Sequence, residues 1–256
     1  MKSTLIGIVV GFLLLGIAIL WSIDFQFGRF VWFFDLKALL IVLGGIVCAT
    51  FIAYPHAKVS GAFGSYVKAL SRNEISLEDY IQEIETLSAG AIEEDSRINP
   101  DEADEIGEAF LRDGLRMVVN KHPVDEVQRL MTERIKNTYH NDMLEAKVIR
   151  NMAKIAPAFG VLGTLLGLVM MMRSLDSSHP ELMTLLGTGM GTALLSIFYG
   201  VLLSNFLFTP VAVKIENRAA QRVVLMEIIM EGIVLLINEA PTGIIRDKLQ
   251  AFLAFK

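Results

Sequence analysis

Four long stretches of the chain carry no charged residue: 3–23, 38–54, 155–172 and 182–213. A helix rises 1.5 Å per residue, so ~20 apolar residues cross the ~30 Å hydrocarbon layer of a bilayer. Each stretch approaches or exceeds that length, which predicts four membrane-spanning helices. Elsewhere the apolar positions recur at helical spacing, and no Asn-Gly or Asp-Gly hairpin sits between alternating runs. The expected fold is therefore an all-α, polytopic membrane protein with a large helical domain between helices two and three.

That domain reads as several helices. "SLEDYIQEIETL" begins with Ser76 and Asp79 at capping-box spacing and continues with Tyr80, Ile81, Ile84 and Leu87 on one face. "DEADEIGEAFLRDGLRMVVN" places Ile106, Phe110, Met117 and Val118 similarly, and Pro123 marks another helix start. From Val124 to Met172 only Pro157 interrupts the pattern, which predicts one long helix, continuous or kinked, projecting from the third span.

Composition sharpens the class. Of 256 residues, 53% are hydrophobic and only 20% charged, with a mean hydropathy of +0.51. Soluble domains carry about a quarter charged residues. The first run has a basic start, but its apolar core exceeds the usual 7–15 residues of a signal peptide and no A-x-A-like site follows, so a retained helix is expected. The single cysteine, Cys48, permits no intrachain disulfide and no Cys-rich metal site, and is expected as a buried small hydrophobe. A net charge of −5 offers no nucleic-acid surface. There is no Walker A segment, nucleotide-binding glycine loop or metal-ligand cluster, and the four histidines are scattered outside the spans. No enzyme, cofactor or metal is expected.

Basic residues near the span ends set the topology. Lys58, Lys68, Arg72, Lys147, Arg150 and Lys154 flank the long loop, and Lys214, Arg218 and Arg222 open the tail. The short loops hold only Arg29, Lys37 and Arg173. The positive-inside rule then places both termini and the long loop in the cytoplasm. The aromatic-rich loop with Trp21 and Trp32 suits the outer interface. The chain thus divides into four regions: 1–54 with spans one and two, 55–154 as a cytoplasmic helical domain, 155–213 with spans three and four, and 214–256 as a cytoplasmic helical tail.

The third span has an unusual face. Gly160, Gly163, Thr164 and Gly167 fall at i, i+3, i+4 and i+7. The fourth span repeats it with Gly189, Thr192, Ala193, Ser196, Gly200 and Ser204, and the first adds Gly7 and Gly11. Small residues let helix backbones approach closely, which is the main source of helix association in lipid. Hydroxyls often bond their own i−4 carbonyl. Pro157 and Pro210 lie at the cytoplasmic ends of their spans, where missing N–H groups bend helices and two bends at one level suggest a hinge. The spans hold no Asp, Glu, His, Lys or Arg, although ion paths usually need such groups. Either the protein moves no ions, or another chain supplies the titratable group.

These segments resemble the MotA/PomA family of flagellar motor stator A subunits, with TolQ and ExbB as more distant relatives. "LKALLIVLGGIVCATFIAYP", "APAFGVLGTLLGLVMM" and "ALLSIFYGVLLSNFLFTPVAVKI" are similar to the family's second, third and fourth helices. The tail "MEIIMEGIVLLINEAPTGIIRDKLQAFL" is similar to a segment that TolQ and ExbB lack. The resemblance implies a pentamer of A subunits around a dimer of B subunits in the bacterial inner membrane. Each B subunit supplies an ion-binding Asp, and the cytoplasmic loop of A turns the rotor protein FliG. It further implies that Thr164, Thr192, Ser196, Gly160, Gly163, Gly167 and Gly200 line the ion path, with Pro157 and Pro210 as hinges.

Two departures qualify that expectation. Where the family carries two hydroxyls in "ALLTTLYG", this chain has Ser196 and Ile197. Ser196 lies about 100° round the helix from the missing group. Thr164 points to Na+ as the transported cation, whereas the lost hydroxyl points towards H+. The family segment "RKxGLLALE" is replaced by "LSAGAIEEDSRINPDEADEIGEA", which leaves Arg97 and Glu102 as the nearest rotor-contact candidates. The altered loop motivates an alternative, a stator-like motor energising a non-flagellar envelope process. A scaffold or secondary transporter is a third class, but no internal repeat supports it.

Overall fold

All regular secondary structure among the described residues of the computed structural model, 2–71, 77–93, 106–175 and 182–252, is helical. The order is α1 (Lys2–Ser22), a 3-10 segment (Phe27–Phe33), α2 (Leu36–Ala53), α3 (His56–Ser71), α4 (Leu77–Glu93), α5 (Ala109–Val119) and α6 (Val124–Ser174). Then come α7 (Leu182–Leu202), a π-helical segment (Leu203–Phe208), α8 (Thr209–Ile237) and α9 (Thr242–Ala251). The single 51-residue α6 matches the long helix read from the sequence and continues through Pro157. Two described stretches, Gly28–Ala53 and Val124–Arg173, are long and apolar enough to cross a membrane.

The chain forms two compact units, Met1–Asn73 with Leu144–Glu216, and Glu74–Met143 with Asn217–Lys256. In the first, α2 buries Ala38, Val42, Ile46 and Thr50, one residue per turn. Ala38, Val42 and Ile46 share one buried cluster with Ala146, Ile149, Ala153 and Ala156 of α6, and Val211, Ala212 and Ile215 of α8. So many alanines leave the helices close together, as expected where packing replaces hydrophobic collapse. The buried Thr50 hydroxyl donates to Ile46 O at 2.7 Å, so the row carries no unsatisfied group. Cys48 corrects its expectation: it is exposed, two residues from the buried Ile46 and therefore on another face of α2.

In the second unit, Ile81 and Ile84 of α4 pack with Phe110, Leu111 and Leu115 of α5 and Val127, Met131 and Ile135 of α6. Ile228, Ile229 and Ile233 of α8 and Ile245 and Leu249 of α9 complete that core. The faces read from spacing hold: Tyr80, Leu87, Met117 and Val118 pack at its margin. Gly114 has a separate reason to be glycine, because a Cβ there would lie 3.0 Å from Ile233 and 3.1 Å from Met131. Ser76 of the capping box lies outside the described residues, while Asp79 sits in the first turn of α4.

Candidate functional site

The small-residue faces of α6 and α7 meet each other within the first unit. A Cβ on Gly160 would come within 2.9 Å of Ser196 O, and one on Gly200 within 2.7 Å of Ala156 O. One on Gly163 would strike the Ser196 side chain at 2.5 Å, and one on Gly167 would lie 2.8 Å from Gly189 O. The contacts are with backbone at three of the four positions, so no rotamer change could relieve them. The glycines therefore set the approach of the two helices within one chain.

The hydroxyls line the seam. Thr164 Oγ1 donates to Gly160 O at 3.0 Å and shares that proton with Ala193 O at 3.2 Å across the seam. Ser196, fully buried, donates to Thr192 O at 2.7 Å. Both commit their only proton to main-chain carbonyls, which leaves oxygen lone pairs as what they can offer a ligand. Ile197, in the place of the second family hydroxyl, is 41% exposed.

Sequence reading missed one carboxylate here. Asp35 is the N-cap of α2, with Oδ1 accepting from Lys37 N at 2.8 Å and Ala38 N at 3.2 Å. Its Oδ2 accepts from Thr192 Oγ1 at 2.5 Å. Its backbone N–H donates to Tyr199 Oη at 2.8 Å, and Tyr199 Oη donates to Phe33 O at 2.7 Å. An Asp just before an apolar run is a legible cap. Its link to α7, across 157 residues, is not.

Thr164, Thr192, Ser196, Gly160, Gly163, Gly167 and Gly200 thus come together at one seam. Pro157 lies on α6 one turn before Gly160, and Pro210 is the second residue of α8. Arg97 and Glu102 lie outside the described residues. Among the described residues, no group of three or more His, Cys, Asp or Glu side chains could hold a metal. No buried side-chain polar atom there lacks a partner.

Fold and seam together define an all-helical protein whose apolar helices pack through glycines and carry hydroxyls at the contact. The model of the MotA/TolQ/ExbB proton channel family matches residues 102–228. Chemotaxis protein PomA of Vibrio alginolyticus is 30% identical over 231 residues, 90% of this chain and 87% of that protein. The uncharacterized protein YtxD of Bacillus subtilis (strain 168) is 31% identical over 202 residues, 79% of this chain and 72% of that one. The structure of C. jejuni MotAB superposes with a TM-score of 0.83 at 18% identity, covering 98% of this chain and 95% of the other. The flagellar MotAB stator complex from Bacillus subtilis gives 0.80 at 22% identity, covering 96% and 94%. At these identities the two structures establish a common fold. The chain belongs to the MotA/PomA family.

Proposed function

We propose that this chain is the A subunit of an ion-driven stator unit, which couples inward cation flow to torque on the flagellar rotor. One observation carries the reading: the seam presents hydroxyl oxygens, yet residues 155–172 and 182–213 contain no Asp, Glu, His, Lys or Arg, and the carboxylate that touches it, Asp35, is engaged in capping α2. A cation path of that kind needs a carboxylate from elsewhere. A B subunit with an intramembrane Asp supplies it, in the family's arrangement of five A subunits around two B.

Within this reading four helices span the inner membrane, with both termini and the long loop cytoplasmic. Thr164, Thr192 and Ser196 are the polar wall of the path. Gly160, Gly163, Gly167 and Gly200 hold that wall at its spacing, and Pro157 and Pro210 are the hinges. Asp35, beside Thr192, adds a negative field that attracts cations. The Thr164 lone pairs suit Na+, a hard cation that takes oxygen ligands. The region of Arg97 and Glu102 is the surface for FliG. The divergence there also supports the second reading, the same motor driving a non-flagellar envelope process.

The test is deletion of the gene in a flagellated host without a paralogous stator, with swimming then scored. Paralysis restored by the gene together with its B partner is expected. Intact swimming rejects the flagellar load. Affinity purification through this chain should also recover a single-span partner with an intramembrane Asp; its absence rejects the stator reading altogether.

A further inference from the structure

Unlike several hydroxyls of the first unit, Ser204 does not bond back along its own helix. Thr50, Thr164 and Ser196 all donate to the carbonyl four residues earlier. Ser204 Oγ instead donates at 2.7 Å to Ala153 O, 51 residues away on α6. Ala153 is the residue four before Pro157, and proline has no N–H to give it. Ala153 is 6% and Ser204 7% exposed, so that carbonyl is poorly placed to be served by solvent.

Ser204 also lies in the π-helical segment Leu203–Phe208, whose end is marked by Thr209 N–H bonding Ser204 O. A π turn holds one extra residue and rotates the helix beyond it. Pro210 comes next and cannot donate to Phe206 O, so the ordinary register cannot be regained through its own nitrogen. One residue thus serves both interruptions, its carbonyl taking the π bond ahead of Pro210 and its hydroxyl capping the acceptor that Pro157 strands. The approach this needs is supplied by Gly200, where a Cβ would lie 3.1 Å from Gly160 Cα.

We propose that Ser204 is a positioning residue that ties the two proline interruptions together, so that a bend at one is passed to the other while torque is made. The torque clause rests on the stator reading; the tie itself does not. Its test is a set of double-mutant cycles on the complex purified with its co-expressed B subunit. Ser204→Ala strands Ala153 O and should lower the unfolding midpoint by about 2–4 °C, the shift of one lost hydrogen bond in a chain of this size. Pro157→Ala restores an N–H to that carbonyl, so Ser204→Ala should then cost less than half as much. Pro210→Ala, which lets the π turn relax, should shrink the cost too. Equal costs in all three backgrounds would overturn the tie.

Torque and ion influx, each normalised to membrane abundance, test the positioning claim. Ser204→Ala should keep influx near the parent level while torque falls several-fold, and Ser204→Thr, which keeps the hydroxyl, should restore torque. Equal fractional loss of influx and torque would overturn the claim and leave a purely structural bond. Absence of influx in the parent complex would reject the stator reading, and the thermal cycles would still decide the tie.

Discussion

The hydroxyl of Thr192 donates to the carboxylate of Asp35, joining the cap of α2 to the middle of α7 across 157 residues. The bond fixes where α2 begins relative to the hydroxyl wall. Thr192→Val keeps the shape, removes the donor and should cost about 1.5–3 kcal/mol, the range for a hydrogen bond to a charged group. Thr192→Ser should cost much less. Thermal unfolding of the purified complex measures both, and a larger cost for Ser than for Val would show that the methyl group rather than the hydroxyl matters.

Asp35 itself separates cap from charge. Asp35→Asn keeps an N-capping oxygen, so α2 should stay intact by circular dichroism. The negative field is lost, and cation influx should fall several-fold, with the deficit narrowing as bulk cation rises. Unchanged influx would limit Asp35 to capping.

Gly200→Ala sets two known effects against each other. Alanine gains about 1 kcal/mol of helix propensity over glycine. The new Cβ would meet Ala156 O at 2.7 Å, a backbone atom, and overpacking of that kind costs about 1–3 kcal/mol. The clash should win, lowering the midpoint and motility together. Gly64→Ala on α3, with nothing within 4 Å, is the control and should be neutral or stabilising.

Thr164→Ala removes one oxygen ligand from the proposed path. Motility should fall about tenfold at low Na+, equivalent to ~1.4 kcal/mol, and recover as Na+ is raised. Swimming that never depended on Na+ would assign the path to H+.

Glu83 gives a pH dependence in the second unit. Its carboxyl is held above the usual range, first by burial and then by the nearby Glu108. A raised folded-state pKa favours the fold while the group is protonated, and that contribution is lost as pH rises through the folded value. Glu83→Gln should therefore stabilise the protein near neutral pH and lose this advantage in acid. Unfolding midpoints at the two pH values check the sign.

Much of the architecture was legible along the chain because helices are local. Spacing alone marked Ile81, Ile84 and Phe110 as core, and the 51-residue α6 was expected from a lack of breakers. Small residues at i, i+3 and i+7 identified the tight face of α6, since periodicity is a property of the backbone.

The packing partner of that face was not legible. The resemblance placed these glycines along an ion path, while the fold sets them against α7 of the same chain, a pairing between distant segments. Cys48 shows the same limit, because apolar composition cannot say which side of a membrane helix is covered. By itself the sequence determined the helices, their apolar lengths and the lack of any charge in the four uncharged runs. Only the tertiary structure decided that Asp35 reaches Thr192 and that Ser204 serves the carbonyl Pro157 leaves bare. Hydrogen bonds act over about 3 Å, and no local pattern reports which distant atoms folding brings that close.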